Sequence, residues 1–228
     1  MKVNVGFLAL QIAGMFLVFA LALFLPAGTI AWAAGWAFMI MFFSFTVAAS
    51  IWLFKQNPDL LKERMEGLSK ADEKSWDKVL MTVIAIVFFA WLVFMPLDAV
   101  RFGWSQAPIW VQIMGAVILF CSFCVFYLAY KANPYLSPAI RIQNDRGQQV
   151  VSSGPYRYVR HPLYAGFMLF VPGTSLLLGS WYGLILGFVL VALTARRAVM
   201  EERALRDELK GYEEYIAKVK YRLIPFIW

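Results

Sequence analysis

The sequence predicts an all-α, polytopic membrane protein of about six spans, closed by a C-terminal helical hairpin and a cytosolic helix. Three observations point there. The 228 residues are 61% hydrophobic and 17% aromatic, with only 15% charged and a mean hydropathy of +0.66. Soluble domains run nearer roughly 45–50% apolar and about 25% charged. Second, the apolar residues fall into runs of the length a helix needs to cross a bilayer, about 20 residues at about 1.5 Å each. Third, the charges gather in alternate connections, as the positive-inside rule requires of a spanning chain.

The spans follow in order. Residues 7–25 form the first, free of charge, and Pro26-Ala27-Gly28-Thr29 is a short turn. The 19-residue run exceeds the usual signal-peptide core of about 7–15, so it is expected to remain as an anchored helix. Residues 30–54 form the second span. A charged stretch, 55–78, holds a small helix opened by Asn57-Pro58-Asp59, with Asn as N-cap and Pro in the first turn. Its Leu60, Leu61, Met65 and Leu68 alternate with Lys62, Glu63, Arg64 and Glu66, which suits an amphipathic interfacial helix or a lid over an entrance. Residues 79–97 and 109–130 form spans three and four. A polar, Pro-punctuated segment covers 131–160. Residues 162–178 and 182–195 form spans five and six, turning at Gly179-Ser180-Trp181, and the last is expected to run unbroken into a charged helix ending near Lys220. There is no internal repeat, and the whole of 1–228 reads as one membrane domain.

Six spans put all but Arg101 of the 21 Lys and Arg on one side, and all but Asp98 of the 14 acidic residues with them. That face is expected to be cytoplasmic. The asymmetry accounts for the net charge of +7 without nucleic acid. One histidine and two cysteines exclude an ordinary zinc site and a disulfide scaffold, so no metal is expected. Cys121 and Cys124 form a C-x-x-C inside the fourth span, where small buried packing suits them better than redox chemistry. Spans one to four carry no ionisable group between their ends, which disfavours a transporter.

Chemistry concentrates at the hairpin. Pro162 suits the first turn of span five and sets His161 at its N-cap, where free N–H groups and the dipole favour an anion. Arg157 and Arg160 beside it are also what a headgroup anchor needs. His161 lies 20 residues before Trp181 and Glu201 lies 20 after it. Two helical arms of that length, each about 30 Å, bring both residues to one depth. Arg197 is one turn below Glu201 on the same face, so His161, Tyr164, Arg197 and Glu201 are expected to converge. Glu202 and Arg206 form a further i,i+4 pair of surface type.

The run Gly154-Pro155-Tyr156-Arg157-Tyr158-Val159-Arg160-His161-Pro162-Leu163-Tyr164-Ala165-Gly166 resembles the R-H-P-x-Y-x-G signature of the isoprenylcysteine carboxyl methyltransferase family and its phospholipid methyltransferase relatives. Glu201-Glu202, Leu205, Gly211-Tyr212, Tyr215 and Ile224-Pro225 resemble that family's closing segment. The likeness runs from about Arg141 to the last residue. It implies a four-span scaffold over 1–130 and a methyltransferase core over 131–228. It implies S-adenosylmethionine as methyl donor, held by Gln148, Gln149, Val150, Val151, Tyr156, His161, Pro162, Leu163, Tyr164 and Glu201. Arg197 stands at the family's substrate-contacting arginine, so Arg197 and His161 are the candidate catalytic pair. Gln148-Gln149 replace a histidine and a threonine of the eukaryotic pattern, and Arg141 replaces a glutamine.

The implied reaction is carboxyl O-methylation of an isoprenylcysteine-type acid. N-methylation of a phospholipid and a non-catalytic membrane binder are the alternatives. The expected partners are the lipid bilayer and a lipophilic or lipidated acceptor, with no nucleic acid and no obligate protein partner. Short loops suit a bacterial inner membrane, with the site facing the cytoplasm.

Overall fold

The computed structural model describes residues 3–67 and 73–228, which contain helices, short helical turns and loops but no strand. The helices are α1 (Val5–Ala27), α2 (Ala33–Gln56), α3 (Pro58–Met65), α4 (Ser75–Pro96), α5 (Ile109–Ala132), α6 (Pro162–Leu178), α7 (Trp181–Glu208) and α8 (Tyr212–Lys218). Five of them, α1, α2, α4, α5 and α7, are long and apolar enough to cross a membrane, and α6 is a shorter apolar helix. The protein is an all-α integral membrane protein, and about six spans suit it.

Local chemistry sets the ends of these helices. The Asn4 side chain caps α1 by accepting from Phe7 N at 3.0 Å. Gly28 and Gly179 stop α1 and α6 at φ 70° and 80°, a left-handed conformation that favours glycine. Asn57 caps α3 as expected, accepting from Leu60 N at 3.1 Å. Leu60 and Leu61 are buried with Leu53, and Met65 packs against them. Leu68, assigned to the same apolar face, lies outside the described residues.

Helix α6 is the central element. Its 17 residues reach about 26 Å, short of a hydrocarbon core of about 30 Å. Its second half, however, is buried almost throughout, so protein rather than lipid surrounds it. Small residues allow this. A Cβ on Gly115 of α5 would lie 2.2 Å from Leu177 N, and one on Gly173 of α6 would lie 2.6 Å from Leu119 N. The two backbones touch, which is how membrane helices gain dispersion contacts where no hydrophobic effect drives them together. Around this seam Phe19, Phe38, Phe42, Phe123 and Phe170 pack in stacked, edge-to-face and tilted pairs.

At the end away from the charged loops, α4 passes through a π turn, Leu97–Arg101. This turns Asp98 inward, where it accepts from Ser105 Oγ at 2.6 Å and Ser180 Oγ at 2.5 Å. Ser105 Oγ in turn accepts from Trp181 N at 2.9 Å. The end of α4 is thereby tied to the α6–α7 turn.

Two expectations are corrected. The last helix does not continue to Lys220: α7 ends at Glu208, Gly211 takes φ 85°, and α8 folds back. Burial of Tyr212 and Tyr215 against Ile142, Val150 and Leu205 outweighs the helical propensity of the charged run. Cys121 and Cys124 are exposed rather than buried. The packed face of α5 carries Gly115, Leu119, Ser122 and Phe123, which leaves both cysteines on the outer surface of the bundle.

Candidate active site

The 133–161 segment folds as a polar cap beneath the bundle, held by its own side chains. Gln143 Nε2 donates to Tyr135 O at 2.6 Å, and Gln143 N donates to Gln148 Oε1 at 2.8 Å. Arg146 donates to Gln143 Oε1 at 2.6 Å and to Pro134 O at 2.9 Å. Arg141 is buried and grips Glu63 of α3 through Nε and Nη2, both at 3.1 Å. The Arg141 guanidinium beside Asp145 also holds that carboxyl below its usual range. Arg141 thus works as a rivet between cap and α3, and Glu63 is not on a solvated face.

Above the cap lies a cavity of about 270 Å³. Gln148, Gln149, Val150, Val151, Tyr156, His161, Leu163, Tyr164, Arg197 and Glu201 all line it, and of the donor and acceptor residues expected from sequence only Pro162 does not. Pro162 is buried at the start of α6, where its ring presets the first turn. His161 is the N-cap of α6, as its place before Pro162 predicts. Its N–H donates to Arg222 O at 3.0 Å, and Arg160 N donates to Tyr221 O at 3.0 Å, so the C-terminal segment fixes the entry to the helix.

The hairpin arithmetic holds. His161 Nδ1 lies 3.7 Å from Glu201 Oε2, and Tyr164 Oη donates to the same oxygen at 2.7 Å. Arg197 Nη1 donates to Tyr164 Oη at 2.7 Å. The four residues form one continuous polar row, in which the Glu201 side chain keeps 26% exposure.

Glu202 is corrected. It is not a surface residue paired with Arg206; its side chain is 3% exposed. It accepts from Arg160 Nε at 2.5 Å and from Arg222 at 2.9 and 2.8 Å, and its Oε1 lies 3.3 Å from His161 Nε2 without hydrogen-bond geometry. Arg206 sits nearer Glu213, at 3.6 Å. Arg160 and Arg222 lie 42 and 20 residues from Glu202, beyond any helical spacing rule. Arg160 also donates to Val219 O and Lys220 O at 2.7 and 2.8 Å, so it is a structural rivet rather than a headgroup anchor.

Sequence reasoning missed Asp77. This fully buried residue of α4 accepts from Arg197 Nε and Nη2, both at 2.8 Å, and from Ile140 N at 2.8 Å. Arg197 Nη2 also donates to Pro138 O at 2.8 Å. Four of the five guanidinium N–H groups are therefore occupied, and one on Nη1 remains. Read as a loop charge, Asp77 looked like one acid among many; its place at the first turn of an apolar helix was the available signal.

The cavity wall carries further tyrosines. Burial pushes the Tyr156, Tyr212 and Tyr215 hydroxyls well above their ordinary range, so all three stay neutral hydrogen-bond donors at cellular pH. Tyr215 Oη donates to Tyr156 O at 2.7 Å, and Asn133 Nδ2 donates to Tyr156 Oη at 3.1 Å. Among the described residues, Tyr212 Oη is buried with no hydrogen-bond partner, while the nearest carboxylate oxygen to the buried His161 Nε2 is Glu202 Oε1 at 3.3 Å. A buried polar atom left unpaired costs about 1–3 kcal/mol, and because Tyr212 lines the cavity its hydroxyl is available to a group bound there.

Fold and cavity together define a class: a polytopic helical membrane protein whose last hairpin opens onto a polar chamber at the charged end of the bundle. Residues 112–207 match the sequence profile of the isoprenylcysteine carboxyl methyltransferase (ICMT) family, in agreement with the signature at 154–166. The chain is 33% identical over 91 residues to protein-S-isoprenylcysteine O-methyltransferase of Schizosaccharomyces pombe, covering 39% of each chain. It is 29% identical over 133 residues to the Saccharomyces cerevisiae enzyme of that name, covering 57% of this chain and 55% of the other. It is also 30% identical over 100 residues to a Delta(14)-sterol reductase of Mus musculus, covering 42% of this chain and 24% of the other. The chain thus spans less than two thirds of the length of each of these relatives. One of these relatives is named a reductase, so similarity in these helices does not by itself fix the chemistry.

Proposed function

We propose that this protein is an S-adenosylmethionine-dependent membrane methyltransferase that esterifies the carboxylate of a lipophilic, isoprenylcysteine-type acid. The whole chain acts as one domain in this reading, with 1–130 as scaffold and 131–228 as the core. The chamber faces the cytoplasm of a bacterial inner membrane, where the soluble donor is found. The observation that carries the reading is the convergence of the signature residues with Glu201 around one cavity.

The residues present fit the donor. The N–H groups of Leu163 and Tyr164, in the first turn of α6, have no intrahelical acceptor and suit a carboxylate. Glu201, open to the cavity, suits an ammonium group or ribose hydroxyls. The unpaired Tyr212 Oη, on the cavity wall, offers a further polar contact. Gln148 contributes through its backbone, since its side-chain oxygen already holds Gln143 N.

When bound, the donor supplies a methyl group on a sulfonium. That methyl would pass to a carboxylate oxygen of the acceptor, with the C–S electron pair remaining on sulfur. No proton moves, so no general base is required. The protein's work is to align the acceptor and exclude water while charge disperses. Arg197 turns its remaining N–H to the acceptor and, through Tyr164, orients Glu201.

Purified protein given methyl-labelled donor and S-farnesyl-thiopropionic acid tests the proposal. Label that mild base releases as methanol is expected. Base-stable label on phosphatidylethanolamine instead would replace it with N-methylation, and donor binding without transfer to any lipid would reduce the protein to a binder.

A further inference from the structure

A second cavity, of about 390 Å³, lies between α1, α2 and α5 at the same end of the bundle and is floored by α3. Its walls are mostly apolar, with Met15, Phe45, Leu53, Phe123 and Phe126 among them. Among the described residues, Arg64 of α3 is the one that lines both this groove and the reaction chamber. Arg64 Nη1 donates to Leu136 O at 3.2 Å, and its guanidinium lies 4.8 Å from the Tyr130 ring centroid. No carboxylate among the described residues lies within ion-pair distance of it. The neighbouring Glu63 is held by Arg141, and the guanidinium of Arg197 is largely neutralised by Asp77. A cation with no counter-charge among the described residues, half-buried at the joint between an apolar groove and a polar chamber, suits an anion attached to a hydrocarbon.

We propose that Arg64 is the counter-charge for the acceptor's acid group and that the α1–α2–α5 groove seats the acceptor's hydrocarbon tail. The inference rests on the methyltransferase reading for the nature of the acceptor, but not for its place. Arg64 and the groove's α1, α2 and α3 walls lie before residue 112, outside the segment that matches the family, so the match itself assigns them no role. The substrate class they select is an amphiphilic acid whose anionic group follows closely on its tail. Gln11 supports the arrangement by donating to Met65 O at 3.0 Å, which holds α3 against α1 and keeps Arg64 at the joint.

Equilibrium binding to the purified full chain tests this, with tritiated S-farnesyl-thiopropionic acid and its neutral primary amide as probes. Wild-type protein is expected to bind the acid at least tenfold more tightly than the amide. Arg64→Gln should remove that preference and leave amide and donor affinity within about twofold, while Arg64→Lys should keep most of it. Ser50→Phe, on the α2 wall, should weaken both probes together. Retained acid preference in Arg64→Gln overturns the role of Arg64, and unchanged binding in Ser50→Phe overturns the groove. Donor affinity reports that each variant is folded. Wild-type protein that binds the acid with this preference yet transfers no methyl group leaves the subsite standing and overturns the methyltransferase reading instead.

Discussion

Arg197 is held from the side by Asp77, 120 residues earlier, through two parallel hydrogen bonds of 2.8 Å. The pair joins α4 to α7 and sets the angle at which the guanidinium meets Tyr164. A planar fork is therefore used here on the protein itself, and the arginine offers the chamber a single N–H.

Asp77→Ala should be the most damaging change near the chamber. It leaves a buried arginine without its counter-charge and Ile140 N without an acceptor. Removing one partner of a buried pair costs about 3–5 kcal/mol. Thermal unfolding in detergent is expected to show a fall of several degrees, and a midpoint within one degree of wild type would remove the clamp from the account.

Arg197→Lys tests the same contact from the other side. Lysine keeps the charge but cannot bridge both Asp77 oxygens and still reach Tyr164. Lower thermal stability and strongly reduced methyl transfer are expected together. Wild-type transfer at wild-type stability would show that the planar fork is dispensable.

Glu201 and Glu202 should separate cleanly. Glu201→Gln is expected to weaken donor binding at least tenfold, about 1.4 kcal/mol, with little change in stability, because that carboxylate is partly open. Glu202→Gln should instead lower stability, since Arg160 and Arg222 lose a buried partner. Calorimetric donor titration and thermal midpoints on both variants decide. Equal loss of donor affinity at equal stability would mean that the two acids share one role.

The α5–α6 seam gives a packing test. Gly115→Leu places a side chain where even a Cβ would lie 2.2 Å from Leu177 N. The helices must separate, and a sharp loss of folded protein is expected. Gly14→Leu, where a Cβ meets nothing within 4 Å, serves as the control. Folded yield by gel filtration reads the difference, and equal yields would deny the close approach.

Sidedness is checked by cysteine labelling in a Cys121→Ala, Cys124→Ala background. Asn144→Cys should react only from the cytoplasm and Phe102→Cys only from the opposite face. Both positions are exposed and lie at opposite ends of the bundle. Labelling of both from one face would defeat the alternating topology.

Much of this protein was legible from local pattern. Span limits follow from runs of apolar residues, helix ends from Asn57, Pro162 and Gly179, and the meeting of His161 with Glu201 from equal arm lengths about Trp181. Each depends on neighbours within one hairpin or one helix, where rise per residue converts sequence distance into space. The burial of Glu202, the clamp of Asp77 on Arg197, the rivet between Arg141 and Glu63, and the place of Arg64 between two cavities depended on tertiary structure alone. Their partners stand 20 to 120 residues away, as with Arg222 and Glu202 or Arg197 and Asp77. A charge in a loop reads the same in sequence whether it meets water or a buried counter-ion. Only the packing of α3, α4 and the C-terminal segment against the hairpin decides which, because desolvation is set by what surrounds a group in space and not by its neighbours along the chain.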